Sequence, residues 1–104
     1  MNQRIDQLTK MRNEDPSDPF LTYALALEYK SAGAVEEALN LLLELRKSHP
    51  DYLALYYQLG KLHEAAHDDE AALEAYRAGE HLANAVNDLK TRGELQEAIW
   101  FLED

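Results

Sequence analysis

The sequence predicts an all-α fold of short antiparallel helices, and three observations lead to this prediction. Hydrophobic residues make up 46% of the 104 residues, and Leu and Ala, which favour helices, dominate that fraction. Val and Ile occur only twice each, so the β-branched side chains that strands prefer are scarce. Apolar residues recur every three or four positions in segments separated by Pro, Gly, Asn and Asp, which is typical of amphipathic helices joined by short turns.

The N-terminal segment predicts one helix over residues 2–14, followed by a second helix after a proline-rich break. The apolar residues of the first helix form one narrow stripe: Ile5, Leu8 and Met11. Asp18 is a suitable N-cap for the second helix, and Pro19 lies in the first turn, where proline is tolerated. This helix runs to about Ala32, and Gly33 can adopt the left-handed conformation that ends it.

The remaining chain predicts four further helices. One runs from about Ala34 to the break at 48–51, and the next from about Tyr52 to Ala66. Asp68 caps a helix over residues 69–86, and the last helix covers residues 88–103 with Gly93 in its interior. The apolar arc predicted for this last helix contains Leu89, Leu95, Ala98, Ile99, Trp100 and Leu102, and Phe101 points away from it.

Charge and composition exclude several classes of function. A net charge of −10 repels phosphate backbones and anionic lipid, so neither nucleic acid nor membrane is expected as a partner. The chain has no Cys, and therefore no disulfide frame, thiolate nucleophile or Cys-ligated zinc. Its first residues lack an apolar signal core, and no apolar run approaches the length of a membrane span. We expect a cytoplasmic protein without a cofactor.

The chain repeats itself at a shift of 34 residues. The aligned pairs are Pro16 with Pro50, Tyr23 with Tyr57, Leu25 with Leu59, Ala26 with Gly60, and Ala38 with Ala72. Two helices cross closely only where side chains are short, so the small residues predict the crossing points. The second copy reads Tyr56-x2-Leu59-Gly60 on one helix and Ala72-x3-Tyr76 on the next.

These spaced positions resemble the tetratricopeptide repeat family. The resemblance covers residues 19–52 and 53–86 as two repeats, with residues 2–14 as a preceding half repeat and 88–103 as a capping helix. It implies one domain in which stacked helix pairs form a right-handed superhelical array. The match departs from the family at Thr22, which replaces a large residue, and at His67, which replaces the turn glycine. The resemblance further implies a non-catalytic module that binds a peptide or helix of another protein in its concave groove.

A stripe on the first helix of each repeat is the predicted contact surface. In the first repeat, Thr22, Leu25, Ala26 and Tyr29 form the packed side of the helix. A second stripe, about 120° around the helix at about 100° per residue, is left to face the groove. The predicted groove residues are Phe20, Tyr23, Leu27 and Lys30, followed in the second repeat by Tyr57, Lys61 and Glu64. In a stacked array, the two tyrosines 34 residues apart are expected to stand side by side.

Two alternatives to a groove-binding module remain open at this stage. The first is a self-associating scaffold protein, a homodimer formed through the repeats or the capping helix. The second, remote, is a zinc-dependent hydrolase, because His63-Glu64-Ala65-Ala66-His67 matches the H-E-x-x-H pattern. No third ligand follows at the expected spacing, and His63 falls on a core position while His67 falls in a turn. We therefore expect no catalytic site, and treat His63 and His67 only as weak candidates for adventitious metal binding.

Overall fold

The computed structural model describes residues 2–103, which form six α-helices and no strand. This confirms the all-α prediction. The helices are α1 (Gln3–Glu14), α2 (Pro19–Ser31), α3 (Val35–Ser48), α4 (Ala54–Ala65), α5 (Asp69–Ala85) and α6 (Leu89–Glu103). None of the helices in this range is both long and apolar enough to cross a membrane.

The chain divides into two compact units, each made of three consecutive helices. The first unit ends at Tyr52 and contains α1 to α3, and the second begins at Leu53 and contains α4 to α6. Within the first unit α2 packs against both α1 and α3, and within the second α5 packs against both α4 and α6. Each middle helix is therefore covered on two sides, as its wide apolar surface requires.

Side-chain caps begin four of the helices. The predicted caps Asp18 and Asp68 are confirmed: the Asp18 carboxylate accepts from the Phe20 amide at 2.9 Å, and Asp68 accepts from the Ala71 amide at 3.1 Å. Asn2 caps α1 in the same way. Asp88 accepts from both the amide and the hydroxyl of Thr91, and these hydrogen bonds hold the pKa of its carboxyl below the usual range.

Three helix–helix turns share one backbone conformation. Gly33, His67 and Asn87 have φ angles of 79°, 61° and 64°, in the left-handed region. In each turn the amide of the following residue donates to a carbonyl five positions earlier, for example from Ala34 to Tyr29 at 2.9 Å. His67 thus adopts in the second unit the left-handed conformation that Gly33 adopts in the first. Its side chain makes this conformation sterically strained, which glycine avoids.

Arg12 joins the three helices of the first unit. Its Nε donates to the hydroxyl of Thr22 at 2.9 Å, and its NH2 group pairs with Glu44 at 2.7 Å. Thr22 is buried, so this bond satisfies a polar group that would otherwise destabilise the core. The apolar centre between α1 and α2 is formed by Leu8, Leu21 and Leu25.

The core of the second unit is built around Tyr76. This ring is fully buried in a cluster with Ala72, Ala83, Leu95, Ala98 and Ile99. Gly60 of α4 leaves the space that the ring occupies, since a Cβ added at Gly60 would lie 2.1 Å from Cε1 of Tyr76. The small residue predicted at this helix crossing is therefore required by a specific aromatic neighbour.

The predicted apolar arc of α6 is wrong at Trp100 and Leu89. Leu95, Ala98 and Ile99 are buried against α5 as expected, but Trp100 is 66% exposed and Leu89 is 60% exposed. Trp100 lies about 140° around the helix from Leu95, at about 100° per residue. Because α6 buries only a narrow stripe against α5, a residue at this angle faces solvent, as does Phe101.

Candidate functional site

The predicted groove residues of the first unit lie along one side of α2. Phe20 is 58% exposed, whereas Tyr23, Leu27 and Lys30 are half-buried. Their spacing of three, four and three residues keeps them on one face of the helix. Phe20 therefore presents most of its ring to solvent at the start of the helix.

Tyr23 is held in place by Tyr52, the last residue of the first unit. The two ring centroids are 5.4 Å apart, with an angle of 47° between the ring planes. Burial, followed by the neighbouring Tyr23 and Asp18, raises the pKa of the Tyr52 phenol, so its hydroxyl is neutral at physiological pH. The sequence pattern did not single out Tyr52, because it lies outside both the packed stripe and the groove stripe.

The predicted groove residues of the second unit form a connected cluster on α4. The Lys61 ammonium lies 5.3 Å from the centroid of the Tyr57 ring and 3.8 Å from a carboxylate oxygen of Glu64. Glu64 in turn accepts a hydrogen bond from the buried Tyr76 hydroxyl. Lys61 and Glu64 are therefore paired within the unit, and Lys61 lies over the ring of Tyr57.

Tyr57 is also supported from the core side. Its ring centroid is 6.1 Å from that of Tyr76, and the remainder of its ring is open, which leaves the side chain half-buried. Burial, then the hydrogen bond to Glu64, raises the pKa of the Tyr76 phenol far above its ordinary value. The Tyr76 hydroxyl therefore stays protonated at neutral pH and donates its hydrogen bond to Glu64.

A groove of about 610 Å³ lies beside Tyr57 in the second unit. Tyr57 and Gln58 of α4 line it, together with Gly93, Glu94 and Glu97 of α6. Within residues 2–103, Glu94 and Glu97 form no ion pair. Sequence reasoning missed the α6 side of this groove, because α6 does not follow the 34-residue period that identified the other positions.

A larger cleft of about 710 Å³ lies along α5 and α6. Arg77 at one end binds Glu103, and Arg92 at the other donates to the side-chain oxygen of Asn84 at 3.0 Å. Glu80 and His81 also line the cleft. The Nε of Arg92 is buried and has no hydrogen-bond partner among the described residues, so this cleft keeps one guanidinium donor that no protein acceptor satisfies.

The two histidines of the H-E-x-x-H pattern do not share a helical face. His63 is half-buried near the end of α4, which ends at Ala65, and His67 is exposed in the left-handed turn that follows. No group of three or more His, Asp or Glu side chains in residues 2–103 is arranged to hold a metal ion. Two histidines four residues apart can bind one zinc ion when both lie within the same helix. Here the turn after α4 separates them, so this geometry is absent.

Comparison with solved structures identifies relatives of this fold. The crystal structure of a tetratricopeptide repeat domain protein from Salinibacter ruber shares 38% identity, covers 83% of this chain and 96% of that chain, and has a TM-score of 0.79. A solution structure of a tetratricopeptide repeat domain protein from the same organism shares 39% identity over 86% of this chain and 90% of that chain, with a TM-score of 0.81. No family model and no curated protein matches the chain.

A third solved structure supports the fold alone. The solution structure of a protein from Bordetella parapertussis covers 99% of this chain and 90% of that chain with a TM-score of 0.86, at 23% identity. The identity to the Salinibacter proteins, over nearly their whole length, shows that this chain belongs to the tetratricopeptide repeat family. Members of this family generally act as protein-interaction or scaffold modules.

Proposed function

We propose that this protein is a non-catalytic interaction module that binds a short peptide or helical segment of another protein. The observation that carries the proposal is the groove beside Tyr57, which combines a half-buried aromatic ring with the open position at Gly93. Gly93 itself adds no side chain to the α6 side of the groove, beside Glu94 and Glu97. A ligand segment can therefore approach the α6 backbone and cover the tyrosine ring.

The surroundings of Tyr57 suit it to the role of an anchor. Tyr76 supports its ring from the core side, while Lys61 contacts the ring and is itself bound to Glu64. A side chain that is already ordered loses little conformational entropy when a ligand covers it. Tyr is also among the residues that most often dominate the binding energy of interfaces.

The charge of the groove defines the ligand segment that fits it. Glu94 and Glu97 line the groove, and the protein carries a net charge of −10. Lys61 does not neutralise these carboxylates, because it lies beside Glu64 instead. The segment that fits best carries an apolar or aromatic residue for Tyr57 and a Lys or Arg for the carboxylates.

The first unit offers a second contact surface on α2. Phe20 is the most exposed of its predicted contact residues, and Tyr23 is held against Tyr52. Truncating Phe20 removes a largely solvent-exposed ring, so it tests binding with little effect on the core. Leu43 of α3, an exposed apolar residue in the same unit, provides the matched control.

A peptide display library panned on the purified protein tests this proposal. We expect selected peptides to combine an apolar residue with a nearby Lys or Arg, and to bind the protein as measured by fluorescence polarisation. Tyr57→Ala should weaken their binding at least about tenfold, because anchor residues contribute about 2 kcal/mol or more. Tyr57→Phe, which keeps the ring, should retain most of the affinity. For selected peptides that bind the α2 surface of the first unit instead, Phe20→Ala should weaken binding more than Leu43→Ala.

Because Tyr57 also contacts Tyr76, its truncation lowers stability. Binding is therefore measured at a temperature at which circular dichroism shows every variant to be folded. Peptides that bind folded Tyr57→Ala and Phe20→Ala as tightly as the unaltered protein would place the interaction elsewhere. Enrichment of acidic peptides would refute the charge assignment of the groove.

A further inference from the structure

The cleft along α5 and α6 contains a buried hydrogen-bond donor without an acceptor. This donor is the Nε of Arg92, and within residues 2–103 no other buried side-chain nitrogen or oxygen lacks a partner. Buried polar groups nearly always have a hydrogen-bond partner, because leaving one unsatisfied destabilises the folded state. The exception at Arg92 therefore needs a reason.

Arg92 also differs from other arginines of the chain in its pairing. Arg4, Arg12 and Arg77 each form an ion pair with a glutamate. Arg92 has no carboxylate partner in the described part of the chain, and its Nη1 donates to the neutral amide oxygen of Asn84 at 3.0 Å. Asn84 lies near the end of α5, where the helix dipole favours a positive charge. The dipole explains a cation at this place, but it leaves the Nε without an acceptor.

The charges that line the cleft limit the kind of anion that fits beside Arg92. Arg77 is paired with Glu103 at the far end, so this pair adds no net charge. Glu80, one turn before Asn84 on the same face of α5, forms no ion pair within residues 2–103. A single unpaired cation with a carboxylate on the opposite wall suits an anion of one charge, and repels a dianion such as phosphate.

The α6 wall of the cleft provides an apolar contact next to the cation. Arg92, Gln96 and Ile99 are spaced by four and three residues, so they share one face of the helix. Ile99 belongs to the core cluster and keeps 9% of its surface exposed where it lines the cleft. It lies about 10 Å along the helix from Arg92, which is seven residues at about 1.5 Å each. A ligand with an anionic head and a short apolar body matches this order.

We propose that this cleft binds a small organic monocarboxylate, with its carboxylate on Arg92 and its apolar body against Ile99. A small turn of the guanidinium, with Nη1 still held by Asn84, presents Nε and Nη2 to the cleft as two parallel donors. This edge matches the two oxygens of a carboxylate, which an arginine binds in bidentate fashion. The bound carboxylate gives the Nε the acceptor that the protein does not supply.

This site is separate from the groove beside Tyr57. The two have no lining residue in common, so the carboxylate site and the peptide-binding function can fail independently. The net charge of −10 repels every anion at long range, which keeps the expected affinity in the millimolar range. The measurement therefore uses an ionic strength near 0.15 M, at which charges more than about 8 Å apart are largely screened.

Titration of the ¹⁵N-labelled protein with 4-phenylbutyrate, followed by NMR, tests the proposal. The signal read out is the Nε–H resonance of Arg92, which is identified by its absence in Arg92→Lys. We expect it to move downfield and saturate between about 0.1 and about 20 mM ligand, because its proton enters a charge-assisted hydrogen bond. The neutral amide of the same acid should leave this resonance in place. Acetate, which lacks the apolar body, should bind more weakly.

Two variants and two controls separate the proposed contact from general charge attraction. Arg92→Gln and Arg92→Lys should each raise the dissociation constant of 4-phenylbutyrate at least about tenfold, read from backbone amide shifts around the cleft. Lys90→Gln removes the same charge from an exposed position of α6 outside the cleft, and should leave the constant within about twofold. Tyr57→Ala should also leave it unchanged. Circular dichroism verifies that each variant is folded at the temperature of the titration.

The contrary results are equally specific. An Arg92 resonance that stays in place up to about 20 mM 4-phenylbutyrate would overturn the proposal. So would an equal response to the neutral amide, because the contact would then be apolar only. Binding that survives in Arg92→Lys would exclude the bidentate contact, and inorganic phosphate that binds as tightly would exclude selection of a monocarboxylate. A loss in Lys90→Gln as large as in Arg92→Gln would reduce the effect to net charge.

Discussion

The glycine pair Gly60 and Gly93 allows a sharp test of the packing in the second unit. Both lie inside helices, and in both positions alanine has the higher helix propensity, by about 1 kcal/mol. They differ in their surroundings, because an added methyl group at Gly60 would overlap the Tyr76 ring while one at Gly93 meets nothing. The same substitution therefore changes stability in opposite directions.

The structure gives the magnitude expected for Gly60→Ala. The new Cβ would lie 2.1 Å from Cε1 and 2.5 Å from Cδ1 and Cζ of Tyr76, whereas carbon atoms in contact are about 3.5–4.0 Å apart. The fully buried ring must move by more than about 1 Å, which costs about 1–3 kcal/mol and strains its hydrogen bond to Glu64, worth about 1.5–3 kcal/mol. After the gain in helix propensity, we expect a net loss of between about 1.5 and about 5 kcal/mol, depending on how far the hydrogen bond is lost.

Urea unfolding followed by circular dichroism measures both variants. It is performed at a protein concentration at which light scattering gives the monomer mass. Gly60→Ala should lower the unfolding midpoint and Gly93→Ala should raise it by the equivalent of about 1 kcal/mol, with the m-value unchanged in both. If the two variants shift the midpoint in the same direction by similar amounts, the close contact of Gly60 with Tyr76 is wrong.

Two further predictions concern the helix crossings and the start of α6. Ala38→Leu and Ala72→Leu should each lower the free energy of unfolding by about 1–3 kcal/mol, because both sites are fully buried; a cost as large at the half-buried control Ala78→Leu would contradict this. Asp88 has a lowered pKa in the folded state, so the stability it contributes is present above the unfolded pKa of about 3.9 and is lost as pH falls through the folded value. The difference in unfolding midpoint between the unaltered protein and Asp88→Ala should therefore shrink below about pH 4, and a difference that is constant down to pH 2 would contradict this assignment.

The sequence by itself determined the helices and the family, because these depend on local chemistry. Asp18 and Asp68 cap helices through bonds to amides two or three residues away, and Gly33 ends α2 through its own backbone conformation. The 34-residue period placed Ala72 and Gly60 at a helix crossing, and both are buried. Caps and turns are readable because each requires only a residue and its near neighbours, and the crossing positions are readable because the repeat places them in register.

The tertiary structure alone decided which polar and aromatic side chains meet. Arg12 satisfies the buried hydroxyl of Thr22, and Glu64 accepts from Tyr76 on the neighbouring helix, neither of which any local pattern indicates. The position of Trp100 was misjudged from the sequence for the same reason. An apolar residue in a helix is buried only if another helix covers its side, and only the packing of α6 on α5 determines which side that is.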